Sequence, residues 1–241
     1  MESESQKVVR ELYSKDAEGY DVRRLIEPKG KLLTDRDMGI FLDMLPDSNG
    51  NLSALEVGAG TGRFTVPVLE HGYNVLATEL NDTMLQLLKK KLGHHEKLGQ
   101  CGFQQETAFD LTMSSNSFAL VYCMHVVPRF LNWSDQEKAL TELCRVTEQQ
   151  GYLLFNFRNS RNFINAIYRG HSVDIRKVKK FLLDAGFTII KVRSKPFITR
   201  TLLDMLPLPV GKIAMFLDRK LEALLPGLGW DVYILAQKKS Q

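Results

Sequence analysis

Three glycines, Gly58, Gly60 and Gly62, stand at every second position in the segment 55-LEVGAGTGRF-64, directly after a short apolar run. Because glycine has no side chain, the backbone N–H groups of such a segment can approach a ligand closely and adopt positive φ angles. A helix that begins behind the segment adds partial positive charge at its N-terminus. The spacing therefore predicts a nucleotide-binding turn between a strand and a helix.

Two acids and one arginine indicate which nucleotide this turn binds. A dinucleotide-binding turn has the spacing G-x-G-x-x-G, and here Arg63 occupies the position of the third glycine. Glu56 precedes the turn, where its charge would repel a pyrophosphate but tolerate a positively charged ligand without phosphate. Glu79 follows Gly58 by 21 residues and ends the next apolar run. A carboxylate there can accept hydrogen bonds from both ribose hydroxyls, the alternative being an ordinary acid at a strand end.

Size and composition restrict the class of protein. The chain has 241 residues, 44% of them hydrophobic, which favours one domain with a sizeable core. A formal net charge of +4 is too small to predict binding to nucleic acid. The three cysteines include no CxxC pair, and His94-His95 has no partner at ligand spacing, so no metal site is predicted. The longest apolar region, 202–217, is interrupted by charges and prolines. We expect a cytoplasmic monomer or homodimer without stable membrane insertion.

Short apolar runs alternate with amphipathic stretches along the chain, which predicts strands alternating with helices. This alternation is typical of an α/β fold with a doubly wound, mostly parallel sheet and helices on both faces. The interval 193–229 offers no simple crossover helix, so we expect the last strand to be antiparallel. The predicted strands are 52–57, 74–80, 103–108, 118–124, 151–157, 186–192 and 230–237.

Capping residues and glycines delimit the predicted helices. One helix should begin at Asn81 or Asp82 and end at Gly93, and another should open with Ser134 and Glu137 at capping-box spacing. The predicted helices are 5–20, 63–72, 81–93, 134–151, 172–187 and 211–227.

The sequence resembles the class I S-adenosylmethionine-dependent methyltransferases of the ubiquinone-biosynthesis-like superfamily over roughly residues 50–190. The motif Glu-Val-Gly-Ala-Gly-Thr-Gly at 56–62 carries most of the resemblance. The stretch 106-ETAFDLTMSSNSFALVY-122 is similar to the family's segment Asp-Ala-x-x-Leu-Pro-Phe-x-x-x-Ser-Phe-Asp, although the two family aspartates are Thr107 and Ala119 here. The resemblance implies a seven-stranded sheet of order 3-2-1-4-5-7-6 and S-adenosylmethionine as cofactor.

The resemblance also implies the cofactor site. Glu56 would support the amino-acid end of the cofactor, while the backbone of Gly58 to Gly60 would lie against its methionine and sugar. Glu79 would hold the ribose hydroxyls, Leu80 would pack on the adenine, and the Thr107 hydroxyl could hydrogen-bond the adenine amine. The residues expected to bind the cofactor are Glu56, Gly58, Ala59, Gly60, Arg63, Glu79, Leu80, Met84, Thr107, Ala108, Phe109, Met124 and Tyr20.

The implied reaction is in-line methyl transfer from a sulfonium to an O, N or C atom of a small molecule. Such an enzyme mainly aligns the reactants and excludes water, and it needs a base only if the acceptor carries a proton of high pKa. His125, in 123-CMHVVPRF-130, is the candidate catalytic base, the alternative being that it only lines the methionine pocket. Residues expected to contact the substrate are Tyr13, Arg158, Tyr168 and His171, with Asn159 and Arg161 as further candidates for binding a carboxylate or phosphate.

We therefore expect a single methyltransferase domain over residues 1–241. Its parts would be an N-terminal helical lid (1–50), a cofactor-binding core (50–192), a helical insertion (193–229) and a last strand with a tail (230–241). The insertion is rich in apolar residues, which favours a cap over an apolar or aromatic substrate. A dimer interface and a membrane surface are the alternatives for it.

Other functions remain as alternatives to a small-molecule methyltransferase. The acids missing at Thr107 and Ala119 leave open a non-catalytic, S-adenosylmethionine-binding regulatory module, and a protein substrate is also open. Arg63 argues against a nicotinamide oxidoreductase. After the fourth predicted strand the chain lacks the Asn-Pro-Pro-Tyr or Asp-Pro-Pro-Tyr motif of many nucleic-acid methyltransferases, so no nucleic-acid partner is predicted.

Overall fold

One seven-stranded sheet forms the centre of the computed structural model, which describes residues 4–14, 19, 21–48, 50, 52–167, 171–224 and 227–240. Within these residues the strands are β1 (Leu52–Val57), β2 (Tyr73–Glu79), β3 (Cys101–Gln105), β4 (Phe118–Cys123), β5 (Thr147–Arg158), β6 (Phe187–Lys195) and β7 (Asp231–Lys238). Their order is β3-β2-β1-β4-β5-β7-β6. Strands β1 to β5 pair in parallel, and β7 is antiparallel to both β5 and β6. The predicted order and the antiparallel last strand are confirmed.

Helices cover both faces of the sheet, which is why its central strands are apolar on both sides. All of β4 is buried. Its Leu120 and Tyr122 pack into one core cluster, while Val121 and Cys123 pack into the other. The helices are α1 (Glu4–Ser14), α2 (Pro28–Met44), α3 (Thr65–Glu70), α4 (Asp82–Lys97), α5 (Trp133–Val146), α6 (Phe163–Ile167), α7 (Ile175–Asp184), α8 (Arg200–Met205) and α9 (Leu208–Leu224).

The predicted end of α4 and the predicted start of α5 were wrong. Helix α4 begins at the predicted cap, where Asn81 accepts a hydrogen bond from the Met84 N–H, but it continues through Gly93 and ends before Gly99. A glycine inside a helix costs only about 1 kcal/mol relative to alanine, so it does not by itself end one. The predicted capping box at Ser134 is also absent, because the Asn132 side chain caps α5 instead by accepting from the Asp135 N–H.

The end of α5 also differs from the prediction. This helix was expected to reach residue 151, but it ends at Val146, and β5 starts directly at Thr147. Thr147 pairs with Phe118 of β4, so the neighbouring strand extends β5 at the expense of the helix. Gln150, at a φ of 63°, makes the bend within this early part of the strand.

The insertion between β6 and β7 packs on α2. Leu203 of α8 and Met215 of α9 form a small buried cluster with Leu33. The other side of α9 leaves Ile213 and Phe216 about 60% exposed. Among the described residues, no helix combines the length and apolarity that crossing a bilayer requires. The predicted role of this insertion as a substrate cap stays a prediction.

Candidate active site

A cleft opens at the carboxyl ends of β1, β2 and β4, where ligands bind in open α/β sheets. The predicted site residues that line it are Gly58, Ala59, Gly60, Arg63, Glu79, Leu80, Met84, Thr107, Ala108, Phe109, Met124 and His125. Sequence reasoning missed Gln6, Val57, Thr61, Phe64, Glu106, Val126, Arg129 and Phe130, which also line it.

The glycine loop follows β1 and uses conformations that other residues rarely adopt. The φ angles of Gly58, Gly60 and Gly62 are 80°, 57° and 89°. The Gly58 N–H donates to the Thr78 carbonyl at 2.9 Å, which ties the loop to β2. A Cβ on Gly58 would come within 2.2 Å of Val126, whereas a Cβ on Gly60 would meet no atom within 4 Å. Gly60 therefore faces the open space of the cleft, and Gly58 permits close packing behind it.

Glu79 joins the end of β2 to this loop. Its Oε2 accepts from the Gly60 N–H at 2.8 Å, and its Oε1 accepts from the Asn81 N–H at 2.9 Å. Burial raises the pKa of Glu79, although these backbone donors oppose the rise. A carboxylate has about four acceptor positions, so capacity remains for hydroxyl donors of a ligand. These two hydrogen bonds hold the Glu79 side chain beside the glycine loop, and its contact with a ribose stays a prediction.

Glu56 lies beneath the loop and does not line the cleft. It is 2% exposed, and its Oε2 accepts from the Thr65 hydroxyl at 2.5 Å and the Tyr122 hydroxyl at 3.0 Å. Burial, reinforced by the charge of Glu79, raises the pKa of Glu56 to about 7. Its predicted support of the cofactor stays a prediction, and the geometry makes that support indirect, through the start of α3.

Arg63 points a buried, unsatisfied donor into the cleft region. Its side chain is 9% exposed and stacks on Phe64, with the guanidinium 4.4 Å from the ring centre. Among the described residues its Nη1 has no hydrogen-bond partner, and Asp37 Oδ2 is 3.8 Å away. A buried donor without a partner is costly unless a ligand supplies an acceptor. A carboxylate such as that of S-adenosylmethionine fits this position, and the open space at Gly60 fits its sugar end.

His125 takes an unusual backbone conformation at the end of β4. Its φ is 63°, and its N–H donates to the Asn156 side chain at 2.6 Å. Its Nδ1 lies 3.3 Å from Asn156 Nδ2, and its Nε2 lies 3.1 Å from Asp37 Oδ2 without the alignment of a hydrogen bond. Burial lowers the pKa of His125 below 6.5, although Asp37 opposes the shift. Burial therefore favours the neutral form of the imidazole.

A buried charge network supports His125 from behind. Lys195 Nζ lies 2.7 Å from both Asp37 Oδ1 and Asp231 Oδ2. Tyr233 donates its hydroxyl to Asp37 at 3.0 Å. Burial alone would raise the pKa of Asp37, but the cations and His125 hold it well below its usual value. This network was not predicted from the sequence. The sequence shows only a charged residue at the end of β6, Lys195, and another at the start of β7, Asp231.

Helix α1 lies over the Thr107 side of the cleft. Gln6 lines the cleft and donates through Nε2 to the Thr107 hydroxyl. The side chain of Asn81 donates to the Arg10 carbonyl at 3.1 Å. These contacts fix the helix at the position that a lid would occupy.

Of the residues predicted to contact the substrate, Tyr168 and the side chain of Tyr13 lie outside the described residues, and neither Arg158 nor His171 is among the residues that line the cleft. Tyr20, predicted to bind the cofactor, also lies outside the described residues. His171 borders a separate depression beside Trp133. Arg158 ends β5 and is half-buried.

Asn159 has a structural role instead of the predicted contact with a carboxylate or phosphate. The residue is fully buried, and its Nδ2 donates to the carbonyls of Gly227 and Gly229 at 2.9 and 3.3 Å. It thereby anchors the loop before β7 to the end of β5. Arg161 is exposed on the same segment.

Comparisons with known proteins agree with this geometry. Residues 55–155 match the methyltransferase domain family. A ubiquinone/menaquinone biosynthesis C-methyltransferase from Sinorhizobium fredii is 29% identical over 63% of this chain and 58% of its own length. A malonyl-[acyl-carrier protein] O-methyltransferase from Serratia marcescens is 29% identical over 63% of this chain and 53% of its own. The chain thus spans less than two thirds of these curated relatives.

Solved structures share the whole fold. The magnesium protoporphyrin IX methyltransferase from Synechocystis PCC 6803, solved with bound S-adenosylmethionine, superposes with a TM-score of 0.68 at 14% identity and covers 99% of both chains. An S-adenosylmethionine-dependent methyltransferase from Thermotoga maritima has a TM-score of 0.66 at 19% identity, covering 95% of this chain and 99% of its own. The sheet order and these solved structures thus show the fold of S-adenosylmethionine-dependent methyltransferases, and residues 55–155 are similar to the methyltransferase domain family.

Proposed function

We propose that this chain transfers a methyl group from S-adenosylmethionine to a small-molecule acceptor. The observation that carries the proposal is the convergence on one cleft of the Gly60 backbone, the Glu79 carboxylate and Arg63, whose Nη1 has no hydrogen-bond partner among the described residues. S-adenosylmethionine supplies a methyl group that is already activated on a positively charged sulfur. The names of two relatives, a ubiquinone/menaquinone biosynthesis C-methyltransferase and a malonyl-[acyl-carrier protein] O-methyltransferase, support the same reaction class.

Different residues of the cleft bind the different parts of the cofactor. Glu79 accepts hydrogen bonds from the ribose hydroxyls, and Arg63 pairs with the carboxylate of the amino-acid end. Leu80 and Met84 provide apolar contact for the adenine. Thr107 holds its exocyclic amine, next to the backbone of Ala108 and Phe109. These roles follow the residues that line the cleft, and they leave Gly58 as a packing residue that lets Val126 approach the loop.

The remaining lining residues form the acceptor's half of the cleft. Phe109 and Phe130 pack at a tilt, with ring centres 4.6 Å apart, and give their side of the cleft an aromatic lining. The aromatic lining supports an acceptor with an apolar or aromatic part. Helix α1 covers this region as a lid, and the insertion 193–229 stiffens α2 behind Asp37. Where the acceptor carries a proton, neutral His125 removes it, and Asp37 stabilises the imidazolium that forms.

Replacing Glu79 by alanine should weaken binding of S-adenosylhomocysteine about 100-fold, equivalent to about 2.7 kcal/mol. The variant loses the ribose acceptors and also leaves the Gly60 and Asn81 N–H groups unpaired. Calorimetric titration measures the dissociation constant. Glu70→Ala, at an exposed acid ending α3, is the control and should bind like the unmodified protein. Equal affinity of the Glu79 variant would remove the ribose assignment.

Replacing His125 by asparagine should lower kcat by about 10² to 10⁴ and leave the affinity for S-adenosylhomocysteine unchanged. Asparagine tolerates the positive φ at this position, so the backbone should be retained. The acceptor is whichever member of a phenol, quinone, carboxylate and amine panel releases S-adenosylhomocysteine with the unmodified protein. Methylation of any acceptor in this panel would also exclude the alternative of a non-catalytic regulatory module that only binds S-adenosylmethionine.

The pH profile distinguishes a base from a residue that only lines the pocket. The base must be unprotonated, and burial lowers the pKa of His125 below 6.5. Activity of the unmodified protein should therefore be full at neutral pH and fall as the pH drops through that lowered pKa. The pH profile of the His125→Asn variant should lack this fall in activity, which is the acid limb of the profile. An unchanged kcat and an unchanged acid limb in the variant would show that His125 only lines the pocket.

A further inference from the structure

Two half-buried arginines, Arg129 and Arg158, make no ion pair among the described residues. Arg129 lines the cleft, whereas Arg158 ends the neighbouring strand β5 and is not among the lining residues. Within the part of the chain that the structure describes, neither guanidinium makes an ion pair or a side-chain hydrogen bond. Burial and the charge of Arg129 lower the pKa of Arg158, and the charge of Asp231 opposes this shift.

The fold places these cations on neighbouring strands at the reactive edge. Arg129 ends the short 3₁₀ turn Val127–Arg129, which follows β4 only a few residues after His125. Strand β5 pairs with β4 in parallel, so Arg158 emerges at the same edge of the sheet. The anchoring of Asn159 to the loop before β7 fixes the backbone next to it.

The acid opposite Arg158 offsets the positive charge of the two arginines only in part. Arg158 lies opposite Asp231 in the β5–β7 ladder. The Asp231 carboxylate is already engaged by Lys195 at 2.7 Å and by the Asn156 side chain at 2.8 Å. Two partly desolvated guanidiniums kept close together without an anion are unfavourable in the protein alone. An oxyanion that bridges them would relieve the repulsion, since guanidinium groups bind carboxylates and phosphates in a bidentate geometry.

We propose that Arg129 and Arg158 form a subsite for an oxyanion of the acceptor, a carboxylate or a phosphate, which orients the acceptor's methyl-accepting atom toward His125. This subsite rests on the proposed function, because it assumes that the acceptor enters the same cleft. It narrows the substrate class from any apolar or aromatic small molecule to one that also carries an anionic group.

The test titrates the full chain, saturated with S-adenosylhomocysteine, with benzoate and with inorganic phosphate as probes, using calorimetry. The unmodified protein should bind one of them with a dissociation constant of about 1 mM, and the preferred probe distinguishes carboxylate from phosphate. Arg129→Gln and Arg158→Gln should each weaken this binding about tenfold or more. Arg161→Gln is the matched control, because it removes an exposed cation from the same segment, and it should bind like the unmodified protein.

Failure of the subsite can be told from failure of the proposed function. Absence of probe binding by the unmodified protein, or equal binding by all three variants, overturns the subsite even if S-adenosylhomocysteine binds normally. Probe binding that depends on both arginines supports the subsite even if S-adenosylhomocysteine does not bind, a result that would instead overturn the proposed cofactor. Circular dichroism confirms that each variant is folded.

Discussion

A valine in place of Gly60 should reduce the affinity for S-adenosylhomocysteine by about 1000-fold or more, equivalent to about 4 kcal/mol. Gly60 has a φ of 57°, and a Cβ added to it meets no protein atom within 4 Å. The valine side chain would therefore project into the open space against which the cofactor's sugar should lie. Strain from a β-branched residue at positive φ costs about 1–3 kcal/mol of stability, which a folded domain can tolerate.

The control for this variant is Gly99→Val. Gly99 has a φ of 71° and also meets no atom within 4 Å, but it lies in the turn between α4 and β3, away from the cleft. The two variants should lose similar stability in thermal unfolding, and only the Gly60 variant should lose binding in calorimetry. Binding by the Gly60 variant at the affinity of the unmodified protein would show that the loop does not cradle the cofactor.

Replacing Lys195 by methionine should lower the free energy of unfolding by about 3–5 kcal/mol. Methionine keeps much of the side-chain volume but leaves the carboxylates of Asp37 and Asp231 buried without their shared cation. Lys195 itself is only 4% exposed, so water cannot replace it. Urea denaturation at neutral pH measures the loss.

The Lys191→Met variant provides the control, since Lys191 pairs with Asp43 at 2.9 Å while both side chains are more than a third exposed. A surface pair of this kind contributes at most about 1 kcal/mol. Equal stability of the Lys195→Met and Lys191→Met variants at neutral pH would contradict the role assigned to the buried network.

The buried network should also make stability depend on pH. In the unmodified protein the pKa of Asp37 is below 3.8, so the contribution of Asp37 to stability is present above pH 3.8 and is lost as the pH falls through the lowered pKa.

The strands of the sheet and the glycine loop could be predicted from the sequence because each depends on residues that are close together in the chain. Dense apolar runs such as β4 predict strands covered on both faces, and the resemblance supplied their order. Three glycines at alternate positions after β1 predicted the positive φ angles found in the loop. The spacing from Gly58 to Glu79 likewise placed the acid beside the loop, because β1 and β2 are parallel neighbours.

Features that depend on contacts between distant parts of the chain could not be predicted. Asp37, Lys195 and Asp231 come from three separate elements, and nothing local to any of them indicates the other two. Glu56 was correctly placed next to the loop, but only the packing of Thr65 and Tyr122 around it shows that its carboxyl lies beneath the loop.

The arginine pair could be predicted only in part. The loop after the fifth predicted strand was expected to bind an anion, and Arg158 was among its candidates. Arg129 was missed because it stands in a short turn after β4, and the parallel pairing of β4 with β5 is what brings the two arginines to one edge. The same loop's Asn159 binds backbone carbonyls instead, which the sequence alone did not indicate.

The most direct measurement is a crystal structure of the chain in complex with S-adenosylhomocysteine. We predict that both ribose hydroxyls lie about 2.7–3.0 Å from the Glu79 carboxylate, with the sugar against Gly60 and the carboxylate end at Arg63. A ligand bound outside this cleft, or bound within it while Glu79 contacts no part of the sugar, would contradict the account.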